Sequence, residues 1–425
     1  MLNPIIASTI LIAALYMVIT EKMDKVIAVS CGALLMIIVG QMLGFYSQKK
    51  ALLAIDFNTL GLLLGMMIIT SILKRTGFFT YIAITLAKIS GGRPWKLMAI
   101  LGVSTAFISM LVDNVTTIVI IVPISILVCD ILGINPLPIL MAEVVLSIIG
   151  GVATLVGDPP NIFIGSAAGL SFNDFLVNLF PVTLVVVFFS LFILKFIHRK
   201  QLSGKPRNFQ AVLNIDAKKA IKDPRGMLKC LLALGVTFSL FFLHESLGLY
   251  PSFIALLGAG LAFLLLRPNP EDIFHDVEWP LLAFFTCFFV IVGGLQETGI
   301  LSHLAKKTVF LADVDIRLYK IVLLWVTGIF SSMIGAVPFT MIMIPIIKTL
   351  SGLGINGGSL WWILAIGVGF GAAGLPTGSA ASIIGISISK KSRSPIDIKT
   401  WLSSATVVAV ASLIFVTILI LAGLF

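Results

Sequence analysis

The sequence predicts an all-α polytopic membrane protein made of two inverted five-crossing repeats, each with a re-entrant helical hairpin and a broken helix. Three observations lead there. Of 425 residues, 59% are hydrophobic and 11% charged, with a mean hydropathy of +1.12, whereas a soluble domain carries about 25% charged residues. A shift of 222 residues lays Thr76-Gly77 on Thr298-Gly299, Asp113 on Gly335 and Pro123 on Pro345, and a shift of 221 lays Gly157 to Asn161 on Gly378 to Ser382. Lastly, apolar sequence is interrupted by Asp113-Asn114-Val115-Thr116-Thr117 and by Thr154-Leu155-Val156-Gly157-Asp158-Pro159-Pro160-Asn161. Ionisable groups at membrane depth cost about 2.5 to 3.5 kcal/mol even on the lenient insertion scale, so they persist where they line a cavity or carry ions.

In chain order, apolar runs of span length lie near 4–20, 24–43 and 53–73, followed by a short amphipathic helix near 78–90. The run without a basic leader or small-residue cleavage site, 4–20, reads as a retained span. The stretch 95–133, broken at Asp113-Asn114, has the length of a hairpin that enters and leaves on one side. A crossing over 137–170 is broken by Gly-Asp-Pro-Pro, and a last span covers 175–197. The second half repeats this with spans near 227–247, 252–267 and 278–297, a helix near 300–312, a hairpin over 317–353, a broken crossing over 358–389 and a span over 400–424. This gives a first membrane repeat over 1–200, a cytoplasmic linker loop over 201–225 and a second, inverted repeat over 226–425.

Five crossings is an odd number, so the second repeat enters from the opposite face. Charge agrees: placing 195–229 inside puts 22 of the 29 Lys and Arg on the cytoplasmic side, as the positive-inside rule requires. The net charge of +10 is thereby accounted for by topology and lipid contact, and no nucleic-acid partner is implied. Cys31, Cys129, Cys230 and Cys287 lack paired spacing, so neither a disulfide framework nor a metal cluster is expected. Cys287 reads as packing, and Trp95, Trp361 and Trp362 read as interfacial anchors. No Gly-x-x-x-x-Gly-Lys-Ser/Thr string occurs. The chain is therefore expected to be a secondary transporter, not an enzyme, with no cofactor; ATP use would require a soluble ATPase subunit. Gly and Pro interruptions at matching places in two halves point to a site at the repeat interface.

The strings Leu111-Val112-Asp113-Asn114-Val115-Thr116-Thr117 and Gly157-Asp158-Pro159-Pro160-Asn161 resemble the paired motifs of the arsenite-permease (ArsB type) and NhaD-type antiporter group of the ion transporter superfamily. The resemblance covers nearly the whole chain. It implies hairpins in an inverted repeat, and its members include arsenite/antimonite efflux permeases, sodium/proton antiporters and the melanosomal P protein. The Ser-Asn-Thr signatures of the more distant dicarboxylate carriers are missing.

Where many relatives repeat an Asp-Asn or Asn-Asn pair in the second hairpin, this chain has Gly335-Ala336-Val337-Pro338-Phe339-Thr340, and its second break offers hydroxyls. The expected site is chemically one-sided. Trivalent arsenic near neutrality is mainly uncharged As(OH)3, which needs neutral donors and acceptors; Asn114, Thr116, Thr117, Asn161, Thr377, Ser379 and Ser382 supply them. Proton coupling falls to Asp113 first and Asp158 second, since a moving cavity alternately buries and hydrates a carboxyl. The competing structural role for both is helix capping. Glu143, one turn before Ser147, is a weaker candidate for the cavity wall. The expected function is efflux of arsenite or antimonite in exchange for protons across the cell (inner) membrane, the alternative being sodium/proton antiport. Homo-oligomerisation is compatible with either.

Overall fold

A computed structural model describes residues 2–20, 22–203, 209–355 and 357–424 of the chain. Every regular element among them is helical. The first half comprises α1 (Leu2–Ile19), α2 (Lys25–Met42), α3 (Gln48–Ala54), α4 (Phe57–Arg75), α5 (Phe78–Ile89), α6 (Pro94–Ser109) and α7 (Asn114–Leu132). It continues with α8 (Leu137–Gly151), α9 (Pro159–Ala168), α10 (Phe172–Asn178) and α11 (Phe180–Ile197). A short α12 (Phe209–Leu213) lies in the connection to α13 (Pro224–Leu247), α14 (Pro251–Leu266), α15 (Pro270–Asp276), α16 (Trp279–Glu297) and α17 (Ile300–Val314). Then come α18 (Ile316–Ile334), α19 (Ala336–Gly352), α20 (Gly357–Ala372), α21 (Ala380–Ser389) and α22 (Ile398–Leu421). Nine of these helices among the described residues are long and apolar enough to cross a membrane.

The 222-residue shift carries α3 onto α15 and α4 onto α16 at both ends, and starts α5, α6 and α7 on α17, α18 and α19. Both hairpins form as expected. The α6–α7 turn is capped by Asp113, whose carboxylate accepts from the Thr116 backbone N–H at 2.8 Å. The α18–α19 turn instead passes through Gly335 at φ 106°, a conformation that favours glycine.

Each break is stitched to the hairpin arm beside it. Thr154 Oγ1 donates to the Met110 carbonyl at 2.5 Å, and Thr377 Oγ1 donates to the Ser332 carbonyl at 3.0 Å. Glycine is required where backbones meet: a Cβ on Gly157 would lie 2.5 Å from the Gly151 carbonyl oxygen and 2.7 Å from that of Ser109, and one on Gly378 would lie 2.3 Å from the Ala372 carbonyl oxygen. Within the helices the same holds: a Cβ on Gly150 of α8 would lie 2.5 Å from the Ala106 carbonyl oxygen of α6, and one on Gly371 of α20 would lie 2.4 Å from the Gly328 carbonyl oxygen of α18.

The halves are interleaved. Helix α2 packs on α16 and α14 on α4, while α21 packs on α7 and α19 on α9. Two ion pairs at the ends of α4 and α16 repeat this relation with the signs exchanged. Arg75, ending α4, reaches Asp276 at 2.7 Å and Asp272 at 3.7 Å on α15. Glu297, ending α16, reaches Lys50 on α3 at 2.5 Å.

Trp361 and Trp362 differ from expectation: both are buried, and Trp362 packs edge-on against Phe175 with centroids 5.2 Å apart. They sit at the start of α20, which is enclosed by α18, α19 and α22, so an indole there fills the core and not the lipid interface. Trp95 is half-buried under the Lys195 ammonium, 4.2 Å from its ring. Cys287 packs with its Sγ 3.4 Å from Ser30 Oγ.

Candidate functional site

The two tips and the two breaks bring the starts of four helices, α7, α9, α19 and α21, to one cavity of about 600 Å³. It is lined by Asn114, Asp158 and Ser379, which are buried, and by Thr377, which is exposed. Asp24 of the α1–α2 turn, Lys25 at the start of α2 and Glu278 before α16 line it as well. Asp24 is exposed, whereas Asn114 and Asp158 are buried, so the cavity runs inward from that turn toward the tip. The remaining wall is apolar, with Phe284, Phe285, Met333 and Ile334 among its residues.

Asp158 stands at the N-cap of α9 but makes no side-chain cap bond there; it accepts instead from Asn114 Nδ2 at 3.2 Å. This joins the first tip to the first break. Ser379 caps α21, accepting from the Ala381 N–H at 3.2 Å. The helix starts contribute positive partial charge, and Asp158 places a carboxylate against one of them.

The other expected residues lie elsewhere. Asp113 lines neither this cavity nor a second, smaller pocket that Thr116 lines. Thr117 Oγ1 donates back to the Asp113 carbonyl at 2.9 Å. Asn161 is turned away from the cavity, its Nδ2 donating to the Val152 and Thr154 carbonyls at 3.0 and 2.8 Å. Ser382 is fully buried, and its hydroxyl has no hydrogen-bond partner among the described residues. Glu143 is also fully buried; it accepts from Ser125 Oγ and does not line the cavity. Among the described residues no group of three His, Cys, Asp or Glu could hold a metal ion.

Glu278 corrects the one-sided picture. The second half does supply a carboxylate, from the helix start at 278 and not from the hairpin or the break, so comparing the tips alone misses it. A usable signal exists in the sequence: the 222 shift lays Asp56 on Glu278. Asp56 spends its oxygens on the Asn58 and Thr59 N–H groups and the Thr59 hydroxyl. Glu278 is followed by Trp279-Pro280 and makes no side-chain cap bond. Burial, and next the nearby Asp113 carboxylate, push the Glu278 carboxyl above its ordinary range.

Hairpins, broken helices and a cavity at their meeting point define a polytopic membrane transporter, and the comparisons agree. The chain belongs to the family described as "Citrate transporter" (CitMHS), whose model matches residues 15–367. It is 36% identical to "Uncharacterized transporter Rv2685" of Mycobacterium tuberculosis, over 96% of each chain. It is 35% identical to the "46 kDa membrane protein" of Mycobacterium leprae, over 96% of each. The P protein of Homo sapiens is 29% identical over 89% of this chain and 55% of that protein, in line with the resemblance in the motifs. The YdaH transporter of Alcanivorax borkumensis shares the fold, with a TM-score of 0.58 at 17% identity over 86% of this chain and 85% of that one. The family match does not single out the arsenite-permease group, and the relatives' names give no arsenic or proton function.

Proposed function

We propose that the chain is a secondary active transporter that expels trivalent arsenic or antimony hydroxide in exchange for protons. The observation that carries this reading is that Asn114, Asp158, Thr377 and Ser379, from both tips and breaks, line one cavity. Together they offer an amide, a carboxylate and two hydroxyls, enough to donate to and accept from a solute with three hydroxyls. The wall also argues against a free tricarboxylate. Asp24, Asp158 and Glu278 outnumber Lys25, so citrate would enter only with protons or a cation to offset its charge.

The cavity opens at the α1–α2 turn, on the face that the charge bias assigns to the cytoplasm. Solute enters there between the two tips, and the protein rearranges to face outward. A neutral solute would otherwise merely equilibrate. A proton taken up outside by Asp113 or Asp158 and released inside supplies about 1.4 kcal/mol per pH unit, a tenfold solute gradient. Asp158 contacts the solute through its pairing with Asn114, and Asp113 acts from behind the tip. Asn161 and Thr117 hold the broken backbone.

The carboxylates Asp158 and Glu278, which line the same cavity, also favour a second reading, sodium/proton exchange, since oxygen ligands suit a hard cation. Purified protein in proteoliposomes under imposed pH or sodium gradients separates the two. Arsenite accumulation driven by pH and indifferent to sodium supports the first; sodium-dependent proton movement without arsenite uptake supports the second. Proton-driven citrate uptake would replace both. Asp113→Asn tests the coupling assignment, and normal proton-driven transport in that variant would remove Asp113 from it.

A further inference from the structure

Behind the first hairpin tip lies a narrow pocket of about 50 Å³, against about 600 Å³ for the large cavity, with room for water. It runs between the end of α4, at Thr70, Ser71 and Lys74, and the first turns of α7, at Thr116. Asp276 and Glu278 close its side. Lys74 is exposed and Asp276 partly so, which puts one end of the pocket at the surface. Glu278 lines both this pocket and the large cavity. Its carboxylate is also uncommitted to capping, unlike that of Asp56 at the matching position.

We propose that Glu278 is a proton-relay carboxyl served by this narrow pocket, so that proton and solute reach the hairpin tip by separate routes. The inference rests on the proton-coupled reading above. In the inward step the protonated carboxyl at the tip gives its proton to the Glu278 carboxylate, and Glu278 passes it to water in the pocket and so to the cytoplasm. At each transfer one O–H bond breaks and one forms, and no other bond changes. The charged groups facing Glu278 are Lys74 from α4, Asp276 from α15 and Asp113 from the tip. On the cavity side they are Asp24, Lys25 and Asp158. Lys74 steadies the charged form while burial and Asp113 oppose it, which is the balance a relay needs. Separate routes let the solute occupy the cavity without blocking proton exit.

Two measurements test this. Infrared difference spectra of the purified full chain, recorded across pH, follow protonated carboxyl bands without any cargo. Glu278→Gln should remove one band that titrates near neutrality, and Lys74→Met should raise that band's midpoint; exposed Glu271→Gln should change nothing. In proteoliposomes carrying an internal pH dye, Glu278→Gln should slow arsenite-coupled proton movement by about a hundredfold. An unchanged set of titrating bands in Glu278→Gln, or an unchanged rate of arsenite-coupled proton movement, overturns the relay. Should the wild type move no arsenite while the Glu278 band behaves as stated, the cargo assignment fails and the relay carboxyl stands.

Discussion

At the first hairpin tip Asp113 caps α7 with its carboxylate, whereas at the matching point 222 residues later Gly335 begins α19 at φ 106° with no side chain. The breaks differ in the same direction: Asp158 and Asn161 in the first stand where Ser379 and Ser382 stand in the second. Yet the two scaffolds are alike, each break being tied to its hairpin by a threonine hydroxyl. What this teaches is that the backbone stitches form the shared device. The side chains around them are free to diverge, and in this chain the first half keeps the carboxylates at the tip and break.

The strongest way to break the comparison is to neutralise matching positions. Asp158→Asn removes a titratable group from the cavity wall, and under the proposed exchange proton-driven transport in proteoliposomes should fall by about a hundredfold. Ser379→Ala, its mate 221 residues on, removes a cap and one hydroxyl and should cost about a few-fold. Equal losses would mean that the halves share the work.

Next in size is the pair Asn161 and Ser382. Asn161→Ala strands the Val152 and Thr154 carbonyls that its amide now serves, and an unmet buried acceptor costs about 1 to 3 kcal/mol. Ser382→Ala deletes a buried hydroxyl with no partner among the described residues, so stability should stay level or rise. Thermal unfolding in detergent reads both. A third variant, Gly335→Ala, forces a side chain into positive φ at a cost of about 1 kcal/mol or more, where an alanine at Asp113, φ −54°, loses only the cap bond.

Much of the fold was legible because membrane burial writes itself into composition. Span lengths, the hairpin breaks at Asp113 and Gly335 and the 222-residue offset all follow from apolar runs and their interruptions. The site was legible in part. Asp158, Asn114, Thr377 and Ser379 line the cavity as their polarity in apolar surroundings suggests, but polarity alone does not say which way a side chain turns. Asn161 and Thr117 are as polar and face their own backbone, because a broken helix leaves carbonyls that something must satisfy. Glu278 was hidden for the opposite reason: at a span boundary, a carboxylate looks like ordinary solvated sequence. The indoles of Trp361 and Trp362 misled similarly, since a start of helix that is wrapped by neighbours reads like one at the lipid surface.

The smallest effects belong to the two ion pairs of exchanged sign. Both join a span end to the short helix of the other half, Arg75 to Asp276 on one face and Glu297 to Lys50 on the other. The partners are a quarter to a half exposed, so each is worth about 0.2 to 1 kcal/mol and should fade as salt rises. They differ in a way acid can expose. Burial works to raise the Asp276 carboxyl, but hydrogen bonds from Arg75 and Ser71, aided by the Arg75 charge, hold it below the ordinary carboxylate value. A depressed folded value means that its stabilisation is present above the unfolded carboxylate value, about 3.9, and lost as pH falls through the folded one. The melting-temperature difference between wild type and Asp276→Asn should therefore hold steady from about pH 8 to 5 and shrink only below about 4. A difference that vanishes already near neutrality would show that Arg75 no longer holds Asp276 in solution. The two faces would then be fastened by unlike means, and the exchanged signs would reflect only which side of the membrane favours basic residues.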